Sequence, residues 1–187
     1  MKKCRMCDGT NFKKVIDFGK TPLVNSLIEK DNLDKKELVF PLSVVQCQNC
    51  FLVQTKQPPD SNKIYKNQDY LYYSGDMPKL DEYFGEYAKD LMDNFGQIGD
   101  LVVEIGSNDG LMLSMMATKF KVLGVDPSTN VVVRALKKGI LTISDFFSER
   151  LAKNITREFG QASIIYGNNC IAHLNDLQDL MQGVKCL

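Results

Sequence analysis

The chain has 187 residues and 44% hydrophobic content, enough for one ordinary domain and a smaller companion. Lys+Arg and Asp+Glu both number 23, and the resulting formal charge of zero argues against a nucleic-acid partner, which needs a basic footprint. No apolar run approaches the roughly 20 residues of a membrane span, and no apolar segment follows Met1-Lys2-Lys3-Cys4-Arg5, so no membrane association is expected and the expected location is cytoplasmic.

Six cysteines in such a chain point to metal or free thiols rather than disulfides. Four of them form two C-x-x-C pairs, Cys4–Cys7 and Cys47–Cys50, separated by 39 residues. Each pair lets two sulfurs converge from a tight turn, so the two together predict a structural tetrahedral zinc site. Cys170 and Cys186 stand alone and read as core or surface thiols. Between the pairs lie short strand-like pieces, Val15–Phe18, Leu38–Phe40 and Leu42–Val45, and another, Phe51–Gln54, follows. A β-rich unit over residues 1–60 is expected, too small to be stable without its metal.

Gln57-Pro58-Pro59-Asp60 is turn-rich and marks a boundary. A tyrosine-bearing helical linker or lid is expected over 61–98, with Tyr65, Tyr70, Tyr72 and Tyr73 ahead of an amphipathic helix from Met77 to Phe95. From 99 to 187 strands and helices alternate. The expected strands are Leu101–Ile105, Lys121–Val125, Ile140–Ile143 and Ala162–Tyr166. The helices are expected from about Gly110 to Lys119, after Pro127, over Ser148–Phe159, and from about His173 onward. Four such units predict an α/β fold with a Rossmann-like parallel sheet.

The first strand of this series runs into Gly106-Ser107-Asn108-Asp109-Gly110. In sheets of this type the first such turn contacts the ligand. Gly106 permits a sharp turn and Gly110 a close approach of the following helix. A pyrophosphate would want unopposed amide donors here, yet Glu104 and Asp109 bring carboxylates. A cofactor carrying a sulfonium and an ammonium, S-adenosylmethionine (SAM), suits those charges better than NAD. Asp126, 20 residues after Gly106, is expected to accept the ribose hydroxyls, and Asp145-Phe146 to hold the adenine.

Cys4-x-x-Cys7, Thr21-Pro22-Leu23-Val24-Asn25, Cys47-x-x-Cys50, the tyrosine segment, Glu104-Ile105-Gly106-Ser107-Asn108-Asp109-Gly110 and Gly167-Asn168-Asn169-Cys170-Ile171-Ala172-His173 follow in that order. Together they resemble the zinc-containing, SAM-dependent sugar C-methyltransferases, which methylate a carbon beside the ketone of nucleotide-linked deoxysugars. The resemblance implies that the four cysteines hold zinc and that Gly106, Ser107, Asn108, Asp109 and Gly110 hold SAM. It further implies that Asn168 and Asn169 line the methyl-transfer site, and that His173, Tyr70 and Tyr72 face the sugar. The family's His-Glu-His segment, expected to supply the base, is absent here. The resemblance therefore implies an N-terminal portion, with strand order 3-2-1-4 in a truncated sheet and inactivity alone. Its fourth strand would form an open edge that invites self-association. The alternatives are a non-catalytic zinc-binding interaction module and a nucleotide-dependent oxidoreductase.

Overall fold

The computed structural model describes residues 3–66 and 69–187 and divides into two compact units. One comprises Met1–Gln68 with Asn175–Gln178, the other Asp69–Leu174 with Asp179–Leu187.

The first unit is built on an antiparallel sheet of order β1-β2-β3, with β1 Phe12–Pro22, β2 Val39–Cys47 and β3 Val53–Thr55. The two pieces expected on either side of Pro41 fuse into the one strand β2. Proline interrupts a ladder by lacking an N–H, but β3 pairs only with Val44–Gln46, so β2 has a single neighbour at Pro41. Register shifts at Lys14/Ile16 and Asp17/Lys20 bend β1, and Gly19 takes φ +76° at the second. Helix α1, Ser61–Tyr65, is capped by the Asp60 carboxylate, which accepts from the Asn62 amide at 3.0 Å.

The second unit holds a parallel sheet of order β6-β5-β4-β7, comprising β4 Leu101–Ile105, β5 Lys121–Val125, β6 Thr142–Ile143 and β7 Ile164–Tyr166. In order of appearance this is 3-2-1-4, as the family resemblance implies. All five residues of β4 are buried, as a central parallel strand requires. Around the sheet run α2 Leu80–Asn94, α3 Leu111–Met116, α4 Thr129–Lys137, α5 Glu149–Phe159 and α6 Leu177–Cys186. Phe84, Ala88 and Leu91 of α2 pack with Met112, Leu113 and Met116 of α3 over Val102 and Ile164.

Several element ends differ from expectation. Helix α2 begins at Leu80, not Met77, because Pro78 keeps Met77 extended at φ −84°, ψ 123°. Ser148 lies just outside α5, its hydroxyl accepting from the Leu151 amide at 3.2 Å. The last helix begins at Leu177 rather than near His173. A single 3-10 turn, Ile171–His173, precedes it, and Leu174 is extended at φ −74°, ψ 135° ahead of Asn175-Asp176, which favour turns and caps. Tyr70, Tyr72 and Tyr73 are not helical; they lie in an irregular stretch that ends in a 3-10 turn at Ser74–Asp76. Among the described residues no helix is long and apolar enough to cross a membrane.

Candidate metal centre and cofactor cleft

The two C-x-x-C pairs form matching turns. In the first, the Asp8 amide donates to the Cys4 carbonyl at 3.1 Å; in the second, the Phe51 amide donates to the Cys47 carbonyl at 3.0 Å. Asp8 and Phe51 both adopt positive φ, 57° and 61°, turning each chain back beneath its sulfurs. All four Sγ atoms lie within 4.8 Å of one another. The pairs that cross between turns, Cys4–Cys50 and Cys7–Cys47, are each 3.6 Å apart. A regular tetrahedron with zinc–sulfur bonds of ~2.3 Å has edges of ~3.8 Å, so these sulfurs frame a zinc ion.

Donors aimed at sulfur complete the centre. The Asn49 amide points at Cys47 Sγ at 3.4 Å, and Gln54 Nε2 at Cys4 Sγ at 3.1 Å. Gln54 is buried, and its Oε1 accepts from the Arg5 amide at 3.2 Å, which fixes the orientation of the side chain. Burial opposes ionisation of Cys4, but the Met6 and Cys7 amides and Gln54 outweigh it and bring the thiol down to about 6. At Cys7 the Gly9 amide favours thiolate, but the sulfurs of Cys50 and Cys47 compete for the shared proton and push this thiol up to about 12. A Cβ on Gly9 would lie 2.9 Å from Asn49 Nδ2, so a side chain there would displace that of Asn49. Spacing reveals the four ligands; Gln54, 50 residues from Cys4, carries no sequence signal.

In the second unit, the carboxyl end of β4 opens into a small cleft of about 30 Å³ whose lining includes Glu104, Gly106, Ser107, Asn108, Met112 and Asn168. Glu104 is buried, and its Oε2 accepts from the Tyr166 hydroxyl at 3.2 Å. Burial holds its carboxyl well above the usual range; the Tyr166 hydroxyl and Asn168 oppose that shift, and Asp126 adds to it. Gly106 takes φ +69°, and a Cβ on it would lie 2.6 Å from Cys170 Cβ. The Cys170 thiol in turn donates to the Ile105 carbonyl at 2.9 Å, which ties the loop after β7 to the end of β4. Ser107 Oγ is buried and has no hydrogen-bond partner among the described residues.

Asp126 stands at the end of β5, as expected, and both its oxygens are engaged. Oδ2 accepts from the Asn108 amide and Oδ1 from the Ser128 amide, each at 2.9 Å. Each oxygen retains a lone pair for a further donor. Burial raises its carboxyl above the ordinary value, against those two amides. Tyr70 belongs to the same neighbourhood: burial, and then the Asp126 charge, push its phenol upward.

Other candidates are spread more widely. The Asp109 side chain is fully buried and faces Lys138 Nζ at 2.8 Å and Arg134 Nε at 3.4 Å. Asp145 pairs with Arg150 at 2.9 Å and accepts from the Phe146 amide at 2.9 Å. Asn168 Nδ2 lies 3.4 Å from Met112 Sδ, while Asn169 is an exposed turn residue at φ 56°. Tyr72 meets Tyr70 edge-on with ring centroids 6.5 Å apart, and His173 is exposed on its 3-10 turn. Sequence reasoning missed Tyr166, Asn130, Arg134 and Lys138. Tyr166 could have been found by its position beside the glutamate strand once the order 3-2-1-4 was assumed; the other three read as ordinary helix polarity.

Fold and site together define a thiolate metal domain joined to a parallel α/β domain of order 3-2-1-4 with an acid-bearing glycine loop. Residues 4–65 match the family described as "Putative zinc binding domain". The four-sulfur geometry of Cys4, Cys7, Cys47 and Cys50 fits that description. The chain is similar to the C-methyltransferase NovU of Streptomyces niveus, at 30% identity over 99% of this chain and 44% of the relative. It thus spans less than half the length of that protein. The family resemblance read from the sequence is borne out by both findings. Among solved structures, the plantazolicin methyltransferase BpumL in complex with SAH is 20% identical over 57% of this chain and 41% of its own, with TM-score 0.41. Magnesium protoporphyrin IX methyltransferase of Synechocystis PCC 6803, with bound SAM, is 17% identical over 60% of this chain and 56% of its own, with TM-score 0.39.

Proposed function

We propose that this chain is the cofactor-binding part of a SAM-dependent C-methyltransferase that acts on a nucleotide-linked keto-deoxysugar through an enolate. The observation that carries the reading is the buried Glu104 carboxyl lining the cleft beside the glycine loop. A buried carboxyl offers no donor charge to a pyrophosphate, and a cation beside it would draw it into the ionised form that pairs with that cation. Similarity to NovU, a C-methyltransferase, supports the same class, and the sugar substrate follows from the family resemblance.

Bound SAM would supply an electrophilic methyl group. Glu104, Gly106, Ser107 and Gly110 would hold its amino-acid end, with Asn108 and Asp109 shaping the loop around it, Asp126 on the ribose, Asp145 and Phe146 on the adenine, and Asn168 and Asn169 beside the transferred methyl. Carbon methylation beside a ketone needs a base to take a proton from that carbon and donors to hold the charge that develops on the ketone oxygen. The carbon so activated would be held facing the methyl group that bound SAM supplies. Tyr70 and Tyr72 are the proposed donors toward the sugar, and His173 is the proposed base. We place this chemistry in the cytoplasm and take the nucleotide sugar as the partner, with strand β7 as the edge for any self-association.

A thermal-shift screen with SAM, S-adenosylhomocysteine and NAD tests the cofactor class. SAM and S-adenosylhomocysteine are expected to raise the melting temperature and NAD to leave it unchanged. Stabilisation by NAD alone would replace this reading with the oxidoreductase one.

A further inference from the structure

Loop residues Asn108 and Asp109 have their side chains committed to the tyrosine segment. Asn108 Oδ1 accepts from the Ser74 amide at 2.9 Å and from the Asp109 amide at 2.9 Å, while Nδ2 donates to the Tyr72 carbonyl at 2.9 Å. Its own amide donates to Asp126. Asn108 is buried at φ 50°, a conformation that asparagine tolerates better than most residues. One residue thereby links the ends of β4 and β5, through its amide, to residues 72–74, through its side chain.

Asp109 extends the link by one residue. Its carboxylate accepts from the Gly75 amide at 3.2 Å and is held between Lys138 and Arg134 of the α4 end. A Cβ on Gly75 would lie 2.7 Å from Asp109 Oδ2, so the backbone approaches closely only because residue 75 is glycine. Arg134 also grips Asp76 through two hydrogen bonds and stacks on Tyr73 at 4.6 Å. From the first turn of α4, Asn130 accepts from the Tyr70 amide at 3.1 Å and donates to its carbonyl at 2.9 Å and to the Tyr73 hydroxyl at 2.7 Å. Residues 70–76 have no regular ladder of their own, so these side chains supply partners for their backbone groups.

We infer that Asn108 and Asp109 are positioning residues, which pin residues 70–76 as a cover beside the cofactor cleft and so fix Tyr70 next to Asp126. Two cations neutralise the Asp109 charge, which leaves Glu104 and Asp126 as the carboxylates available to the cofactor. The glycine loop thus reads its ligand through its backbone and its two flanking acids, and uses its central side chains to hold the cover. This inference rests on the SAM reading above.

Hydrogen exchange and SAM calorimetry on the same variants test it. Asn108→Gly keeps the left-handed backbone and deletes the side-chain bonds; Asp109→Asn keeps the shape and removes the charge. Both are expected to speed exchange at the Ser74 and Gly75 amides by at least about tenfold, with β4 and β5 amides unchanged, and to weaken SAM binding by a similar factor. Asp76→Asn, on the surface, should give a smaller change of the same kind and keeps the test valid if a loop variant fails to fold. Unchanged exchange at 74 and 75 in the folded variants would overturn the clamp. Faster exchange with unaltered SAM affinity would overturn the positioning role. Failure of the unmutated chain to bind SAM would overturn the cofactor reading instead, and exchange would still report on the clamp.

Discussion

Removing the metal should unfold the N-terminal sheet and leave the parallel sheet standing. The magnitude follows from what the first unit buries. Among described residues 3–66, only Cys4, Val45, Cys47 and Gln54 are buried, and two of these are ligands. Val45 contributes about 1.5–3 kcal/mol, whereas a structural zinc site contributes about 10–16 kcal/mol at neutral pH. Even with the half-buried side chains added, the metal stabilises this unit more than its apolar packing does. Cys47 is the most sensitive ligand: it is fully buried, pairs with Phe12 in the sheet, and bonds to Leu52 and Phe51 through its backbone. Cys47→Ser is expected to lose the ion and the protection of β1 and β2 together. Gln54→Leu, which removes the hydrogen bond to Cys4 Sγ and those that Gln54 accepts from Arg5 but leaves all four ligands, should keep the ion with affinity lowered about 10–100-fold. Elemental analysis and hydrogen exchange before and after chelation under reducing conditions measure both effects. About one zinc per chain is expected, with loss of protection confined to β1, β2 and β3. Fully reduced protein without metal, or β1 and β2 amides equally protected after chelation, would refute the reasoning.

Three further outcomes follow from single residues. Native Glu104 titrates above its unfolded value of ~4.3, so its contribution to stability is full below that pH and declines as pH rises toward the native pKa; Glu104→Gln should abolish this decline in urea melts taken across pH, and parallel curves for the two proteins would count against it. Gly106→Ala should destabilise the second unit by about 1–3 kcal/mol in denaturant titration, and Cys170→Ala should not rescue it because the offending Cβ remains; a neutral Gly106→Ala would contradict the close approach. Phe51→Gly should stabilise the zinc unit by up to about 1 kcal/mol, since an exposed phenylalanine at φ 61° carries a left-handed cost that glycine avoids; a lower melting temperature would show that the ring makes contacts worth more.

Whatever rests on local periodicity or fixed spacing is legible in the sequence. The C-x-x-C pairs announce the thiolate cluster because two residues between cysteines suffice to converge their sulfurs. Alternating apolar strands and amphipathic helices announce the parallel sheet, and the family resemblance supplies its order. The position of Asp126 at a strand end is readable by counting from Gly106. Long-range pairing is not readable. Pro41 looks like a break between two strands, because only tertiary placement shows that β2 has a single neighbour there. The cations that face Asp109 are not readable either, because Lys138 and Arg134 reach it from a helix that begins 20 residues later. Asn175-Asp176 shifts the last helix, a local signal that the apolar residues around it obscure.

The location of the cofactor is tested most directly by calorimetry with SAM on the unmutated chain, Asp126→Ala and Ser128→Ala. Both residues are buried at the end of β5, but Asp126 offers a carboxylate, whose charge strengthens any hydroxyl bond it accepts, whereas Ser128 offers a neutral hydroxyl. Charged hydrogen bonds are worth about 1.5–3 kcal/mol each, so Asp126→Ala should weaken binding by about 2 kcal/mol or more. Ser128→Ala should bind as the unmutated chain does. Equal affinities for all three proteins would contradict the account and put SAM somewhere other than the carboxyl ends of β4 and β5.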